Sequence, residues 1–163
     1  MSDENGSPLL VDGELILYGY VGGEPDSDWV PGFSGEHVIA ALAEHGKSED
    51  ITVRVNSGGG SVWHGVAIYN ALQNHGGTVT VRVDAIAASA ASVIMMAGDE
   101  IVVPAASVVM VHNASHITIG NADEHDDAAA FLRKLDLQMA ELYAARSGKT
   151  VEECAALMDA ETW

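Results

Sequence analysis

ITVRVNSGGGSVWHGVAIYNALQNHGGTVTVRVDAIAAS, Ile51 to Ser89, decides the fold class. Ile51 to Val55 and Thr78 to Val83 are runs rich in β-branched residues that alternate as a half-buried strand does. Between them, Val62 to His75 reads as a helix stopped by the pair Gly76-Gly77. A strand, a helix and a second strand in that order make a crossover unit, with the strands parallel and the connection right-handed. The stretch therefore predicts an α/β domain.

The same alternation continues outward. Toward the N-terminus, Glu14 to Gly22 reads as a first strand and GGEPDSDWVPG (Gly22 to Gly32) as a loop. Ser34 is placed to cap a helix that carries Val38, Ala41 and Leu42 on one face and ends at Gly46. Residues 1–13, opening MSDENGS, are expected to form a flexible acidic tail. Toward the C-terminus, EIVVP and SVVMV predict two short strands around Pro104. A long helix follows, capped by Asn121 or Asp123, with Ala128, Phe131, Leu132, Leu135, Met139 and Leu142 at helical spacing as core or subunit interface. Gly148 ends it, and Thr150 with Glu153 makes a capping box for a last helix through Met158. Residues 14–163 are thus expected to form one domain, and the absence of a closing strand before Trp163 reads as a truncated C-terminal end.

Composition excludes several functions. Of the 163 residues, 48% are hydrophobic and 19% charged, which suits a packed core and argues against disorder. Seven Lys and Arg against 24 Asp and Glu give a net charge of −17, so the basic surface needed to neutralise nucleic-acid phosphates is missing. An anionic membrane is disfavoured for the same reason. The longest apolar run, Ala85 to Ala97, falls short of the roughly 20 residues that span a bilayer, and no signal peptide precedes the first strand. The lone cysteine, Cys154, permits neither an intrachain disulfide nor a cysteine-based zinc site and reads as a buried apolar residue. These features predict a protein of a reducing compartment that is not secreted.

Two loops join a strand's carboxyl end to a helix, where open α/β sheets place ligands. NSGGGS (Asn56 to Ser61) lacks the Lys-Ser/Thr of a phosphate loop and does not fit G-x-G-x-x-G. Its glycines serve either a tight turn or the presentation of backbone N–H groups to a developing oxyanion. DAIAAS (Asp84 to Ser89) ends in a serine at a strand-to-helix junction, where a hydroxyl projects and the next N–H shares its space. Ser92, nearly one turn further, is the competing nucleophile, and a structural role for both serines is the alternative. Seven histidines are candidate bases. His45 and His75 sit near predicted helix ends, and His37 and His125 in first turns. His112 ends the strand VVMVH, where a base could face Ser89. His112 and His116 as a metal pair would need a helix and a third ligand, and no metal site is expected.

The segments NSGGGSVWHGVAIYNAL, AIAASAASVIMMAGDEIVVP and SVVMVHNA, in this order, resemble the ClpP family of serine peptidases, especially the ClpP-like head maturation proteases of tailed phages. The likeness runs from about Glu14 to Trp163 and implies the spiral of β-β-α units shared with crotonases, with a long C-terminal helix. Carried over residue by residue, it implies Ser89 as nucleophile, His112 as base, and an oxyanion hole from the N–H groups of Gly60 and Ala90. Gly58, Gly59 and Ser61 would contact substrate. Gly58 stands where the family usually has proline, so the turn is expected to be looser. Aligning Trp163 with the family's aromatic residue makes Glu161 the third triad member, with Asp159 the alternative.

The implied reaction is peptide-bond hydrolysis through an acyl-enzyme, without cofactor. The resemblance further implies phage scaffold or capsid proteins as substrates, in the infected cell's cytoplasm or the prohead. It also implies a homo-oligomeric ring with the helix from Asp123 to Arg146 at the ring-to-ring contact. A crotonase-type acyl-CoA enzyme and a noncatalytic ring-forming capsid component are the competing readings.

Overall fold

A computed structural model describes residues 7–163, which divide into two compact units, one ending at Met110 and one running from Val111 to Trp163. The expected tail falls partly outside the described residues, at 1–6. From Ser7 onward the chain is built into the first unit. Leu10–Val11 form strand β1, antiparallel to β2 (Glu14–Tyr18), and Leu9 is buried. The turn between them holds Asp12 and Gly13, both at positive φ.

The predicted crossover is present. β5 (Ile51–Ser57), helix α2 (Val62–Gln73) and β6 (Val79–Ala88) form a unit whose strands pair in parallel from Ile51↔Val79 onward. β2 joins the other edge of β5, also in parallel. Helix α1 (Gly35–His45), capped by Ser34, lies between these two strands in sequence. β6 is long enough to take two further parallel partners. Its start pairs with β7 (Glu100–Val102) and its end with β8 (Val108–Met110).

The first expected strand, Glu14 to Gly22, is broken in two. Gly19 turns to φ +94, and β3 (Tyr20–Val21) leaves the main sheet to pair with β4 (Gly32–Phe33). A Cβ on Gly19 would come within 2.5 Å of the Pro31 carbonyl oxygen, so the close approach of these strands requires glycine there. β6 runs five residues beyond Val83, so Asp84 to Ala88 is strand. Only Ala90–Met95 forms the helix that follows, α3.

The sheet is apolar on one face. Leu15, Leu17, Val53, Val55, Val79, Val81 and Val83 are buried in one cluster with Val38 and Ala41 of α1 and Ile68 and Leu72 of α2. Alternation sends Glu14, Tyr18, Arg54 and Asp84 to the opposite face. There Arg54 Nε donates to both Asp84 carboxylate oxygens, at 2.9 and 2.8 Å, and Nη1 donates to Glu14 at 3.0 Å, while the Tyr18 hydroxyl donates to Asp84. Burial opposes ionisation of Asp84, but the hydrogen bonds from Arg54 and Tyr18 outweigh it and hold the carboxyl below its usual range.

The second unit is helical. Asn121, not Asp123, caps α4 (Ala122–Ser147), in a reciprocal capping box with Glu124. Thr150 and Glu153 form the predicted box on α5 (Val151–Asp159), which packs on α4. Cys154 is buried, as its apolar reading predicts. Of the helical stripe only Leu135 is buried, and Phe131 is 42% exposed. Among the described residues no helix is long and apolar enough to cross a membrane.

Candidate active site

Ser89 occupies the single residue between β6 and α3, at φ 55°, ψ −125°. Non-glycine residues avoid this region because the Cβ meets the following carbonyl, a strain of about 1–3 kcal/mol that persists only where surrounding bonds enforce it. Those bonds are visible. The Ser89 N–H donates to the Met110 carbonyl at 3.0 Å, continuing the pairing of β6 with β8. On the other side, the Ser89 carbonyl accepts from Ser92 Oγ at 2.6 Å and from the Ser92 and Val93 N–H groups at 2.9 and 3.3 Å. The two serines are thus distinguished. Ser89 is partly exposed and makes no side-chain cap bond, whereas Ser92 is fully buried and braces the turn.

The glycine loop lies directly against this turn. A Cβ on Gly59 would stand 2.7 Å from the Ala88 oxygen and from Ser89 Cβ, and 3.1 Å from the Ala90 nitrogen. Only glycine, here at φ +97, lets the two backbones come so close. The loop is held by its own neighbours. Ser57 Oγ accepts the Gly59 N–H at 3.1 Å, the Gly59 carbonyl accepts from Val21 N–H at 3.0 Å, and Ser61 N–H donates to the Val21 carbonyl at 2.7 Å. These bonds flank Gly60 without using its N–H. Ala90 is the first residue of α3, where the helix supplies its N–H with no acceptor.

The remaining loop positions differ. Gly58 is exposed, and a Cβ there would meet nothing within 4 Å. Ser61 caps α2, with Oγ 3.5 Å from the His64 nitrogen. The alanines after Ser89 have a packing reason: a Cβ on Gly65 of α2 would stand 3.1 Å from Ala90 Cβ, so the two helices meet through small residues.

His112 and the two candidate carboxylates belong to the second unit. Val111, one residue before His112, forms an isolated antiparallel bridge with Thr162, its N–H donating to the Thr162 carbonyl at 3.0 Å. The bridge is isolated, and among the described residues no strand pairing continues from it. Glu161 itself lies at φ 47° just past α5. Its N–H bonds the Met158 carbonyl at 3.0 Å and the Thr162 N–H bonds the Leu157 carbonyl at 3.1 Å, the paired closure of a Schellman motif, whose left-handed position normally carries glycine. Asp159 Oδ1 accepts from Asn113 Nδ2 at 2.8 Å. The loop after His112 is tied to α4 by the Ala114 N–H, which donates to Asp136 Oδ1 at 2.7 Å.

Most other histidines have structural partners. Nε2 of His45 and of His75 lie 3.0 and 2.7 Å from the carbonyls of Asp50 and Glu49, and His64 Nδ1 accepts the Gly35 N–H at 3.1 Å. Ser34, His37 and Glu24 imitate a triad, with His37 Nδ1 2.9 Å from Ser34 Oγ and Nε2 3.4 Å from Glu24. Ser34 Oγ is buried and caps α1, so it presents no open nucleophile. His116 Nδ1 lies 3.0 Å from the neighbouring Ile117 carbonyl. Among the described residues no group of three His, Cys, Asp or Glu is arranged to hold a metal ion.

The family model described as Clp protease matches residues 34–163. The chain belongs to the Clp protease family. Among relatives it is 31% identical, over 75% of its length, to an ATP-dependent Clp protease proteolytic subunit of Pleurastrum terricola, and 33% identical, over 74%, to that of Porphyromonas gingivalis. It is 31% identical over 86% of its length to proteolytic subunit 3 of Rhodococcus jostii. The alignments cover 63%, 54% and 70% of those three relatives, so the chain spans little more than half the length of some. The sheet, its crossovers and the long C-terminal helix agree with the Clp protease fold. The match begins at Ser34, so β1 to β4, including Tyr20, precede the matched span.

Sequence reasoning missed the bond from Ser92 to the Ser89 carbonyl. A serine three residues after a turn residue is a known local pattern and was a usable signal. The Schellman closure that sets Glu161 carried no such signal, because glutamate is uncommon at that position.

Proposed function

We propose that the chain is a serine endopeptidase. Ser89 Oγ attacks a peptide carbonyl while His112 takes its proton, and Glu161 orients the imidazole and stabilises its charged form. The Gly60 and Ala90 N–H groups receive the tetrahedral oxyanion. His112 then returns the proton to the leaving amine, and water, activated by the same base, releases the acyl group. Losing one oxyanion donor would cost about 3 kcal/mol of transition-state stabilisation, on the order of a hundredfold in rate. The observation that carries the reading is the strained Ser89 turn with Gly59 packed against it. A chain that needed only a strand-to-helix connection would relax that position to glycine.

The substrate lies extended along the glycine loop, touching Gly58, Gly59 and Ser61, as strand-adding peptides do at sheet edges. The likeness of the three motifs to phage head maturation proteases supports scaffold or capsid proteins as substrates, in the prohead or the infected cell's cytoplasm. It also supports assembly into a ring of copies of this chain. The relatives are named as proteolytic subunits of an ATP-dependent protease, which supports a competing use in which an ATP-driven partner feeds the site. Cleavage of purified scaffold protein without ATP favours the first use, and cleavage that requires such a partner favours the second.

The chemistry is tested with a fluorophosphonate probe. Labelling of wild type and Ser92→Ala, but not of Ser89→Ala, is the expected outcome. Labelling lost only in Ser92→Ala would overturn the assignment. Acyl-CoA hydrolysis by Ser89→Ala would point instead to crotonase-type chemistry.

A further inference from the structure

Gly60 has an aromatic neighbour that the mechanism leaves unused. A Cβ on Gly60 would lie 2.9 Å from both Cε2 and Cζ of Tyr20, so the ring edge rests on the Gly60 backbone. The rest of the residue faces outward, 49% exposed. Its main chain is fixed on both sides. Tyr20 N–H donates to the Pro31 carbonyl and Gly23 N–H donates to the Tyr20 carbonyl, each at 3.0 Å. A Cβ on Gly32, its partner in β4, would stand 2.6 Å from the Tyr20 nitrogen, so the strands are too close for the ring's base to shift.

A substrate carbonyl bound by the Gly60 N–H has its own residue and the next within a few ångströms of the Gly60 backbone. An apolar ring held there meets a side chain beside the scissile bond. We propose that Tyr20 walls a substrate subsite and selects peptides with a large apolar residue next to the cleaved bond, an assignment that rests on the peptidase reading. Aromatic faces favour such side chains through area buried and specific ring contacts. Tyr20 acts as a specificity residue and carries no proton in the reaction.

The test compares kcat/KM for fluorogenic peptides that differ only at the two residues flanking the cleaved bond. Wild type is expected to prefer leucine or phenylalanine over alanine by about tenfold or more, the scale on which apolar pockets discriminate. Tyr20→Ala and Tyr20→Gln should bring that ratio near one, mainly through KM, and Tyr20→Phe should keep it. Tyr20→Gln retains the length of the stem and tests the idea even if Tyr20→Ala folds poorly. An unchanged ratio in the variants overturns the proposal, as does an equal fall in kcat for every peptide, which marks a purely structural support of Gly60. Wild type that neither takes the fluorophosphonate probe nor cleaves any peptide overturns the peptidase reading itself. A cleaving wild type with unaltered selectivity in the variants overturns only the role of Tyr20.

Discussion

Gly59 and Ser89 are packed so closely that a Cβ on Gly59 would sit 2.7 Å from the Cβ of Ser89. The contact locks the glycine loop to the strand-to-helix turn and sets the Ala90 nitrogen beside the loop. Two segments about thirty residues apart in the chain are thereby held in one geometry by the absence of a side chain.

Gly59→Ala and Gly58→Ala should therefore behave oppositely. At Gly59 the added methyl meets backbone atoms that cannot move, and φ is +97, so a loss of about 2–3 kcal/mol is expected. At Gly58 it enters open space, and restricting the unfolded chain should leave stability unchanged or raised by up to about 1 kcal/mol. Urea unfolding of the two variants checks this, and equal midpoints would contradict the packing.

Ser89→Gly should stabilise the fold while removing the nucleophile. Relief of about 1–3 kcal/mol of backbone strain exceeds the roughly 0.4–1 kcal/mol that a new glycine adds to the unfolded state's entropy. Ser92→Ala should move the other way, by about 1 kcal/mol, since one buried hydrogen bond is lost while two N–H groups still reach the Ser89 carbonyl. A Ser89→Gly protein less stable than wild type would show that the turn is not strained.

The crossover from Ile51 to Val83 was legible because alternation and helical spacing are local and strong. So were the caps at Ser34 and Thr150, where a short polar side chain precedes an acidic first turn, whereas at α4 the same signal left Asn121 and Asp123 open. What escaped was decided by contacts distant in sequence. The break at Gly19 depends on Pro31, a partner that periodicity around Glu14 to Gly22 cannot announce. The continuation of β6 through Asp84 to Ala88 depends on β8 supplying a ladder to an alanine-rich run with little strand propensity of its own. In the candidate site, Ser89 stood out only as one of two serines. The hydrogen bond that separates them lies within one turn, but it appears only once the backbone bends.

The ion pair across the outer sheet face should tie stability to acid. Asp84 has a depressed carboxyl pKa in the folded state, so its contribution is fully present above the unfolded value of about 3.9 and is lost as pH falls through the lower folded value. Asp84→Asn should cost about 1–2 kcal/mol at pH 7, where Arg54 keeps Glu14 but loses its closer partner. The gap between wild type and variant should close below about pH 4. Guanidinium unfolding at pH 7 and pH 3 measures it, and a gap that widens in acid would refute the assigned direction.

Glu161 offers the sharpest separation of stability from activity. Its φ of 47° at the close of α5 is a position where glycine is favoured, so Glu161→Gly should raise stability by about 0.5–1 kcal/mol. Under the proposed mechanism the same change removes the carboxylate that orients His112 and should lower kcat on the order of 10³–10⁴-fold. Asp159→Asn keeps an oxygen to accept from Asn113, so its structure should stand and its kcat should change only a few-fold. Thermal unfolding and peptide hydrolysis on both variants decide between the carboxylates. If Asp159→Asn were inactive while Glu161→Gly stayed active, the third member of the triad would be Asp159.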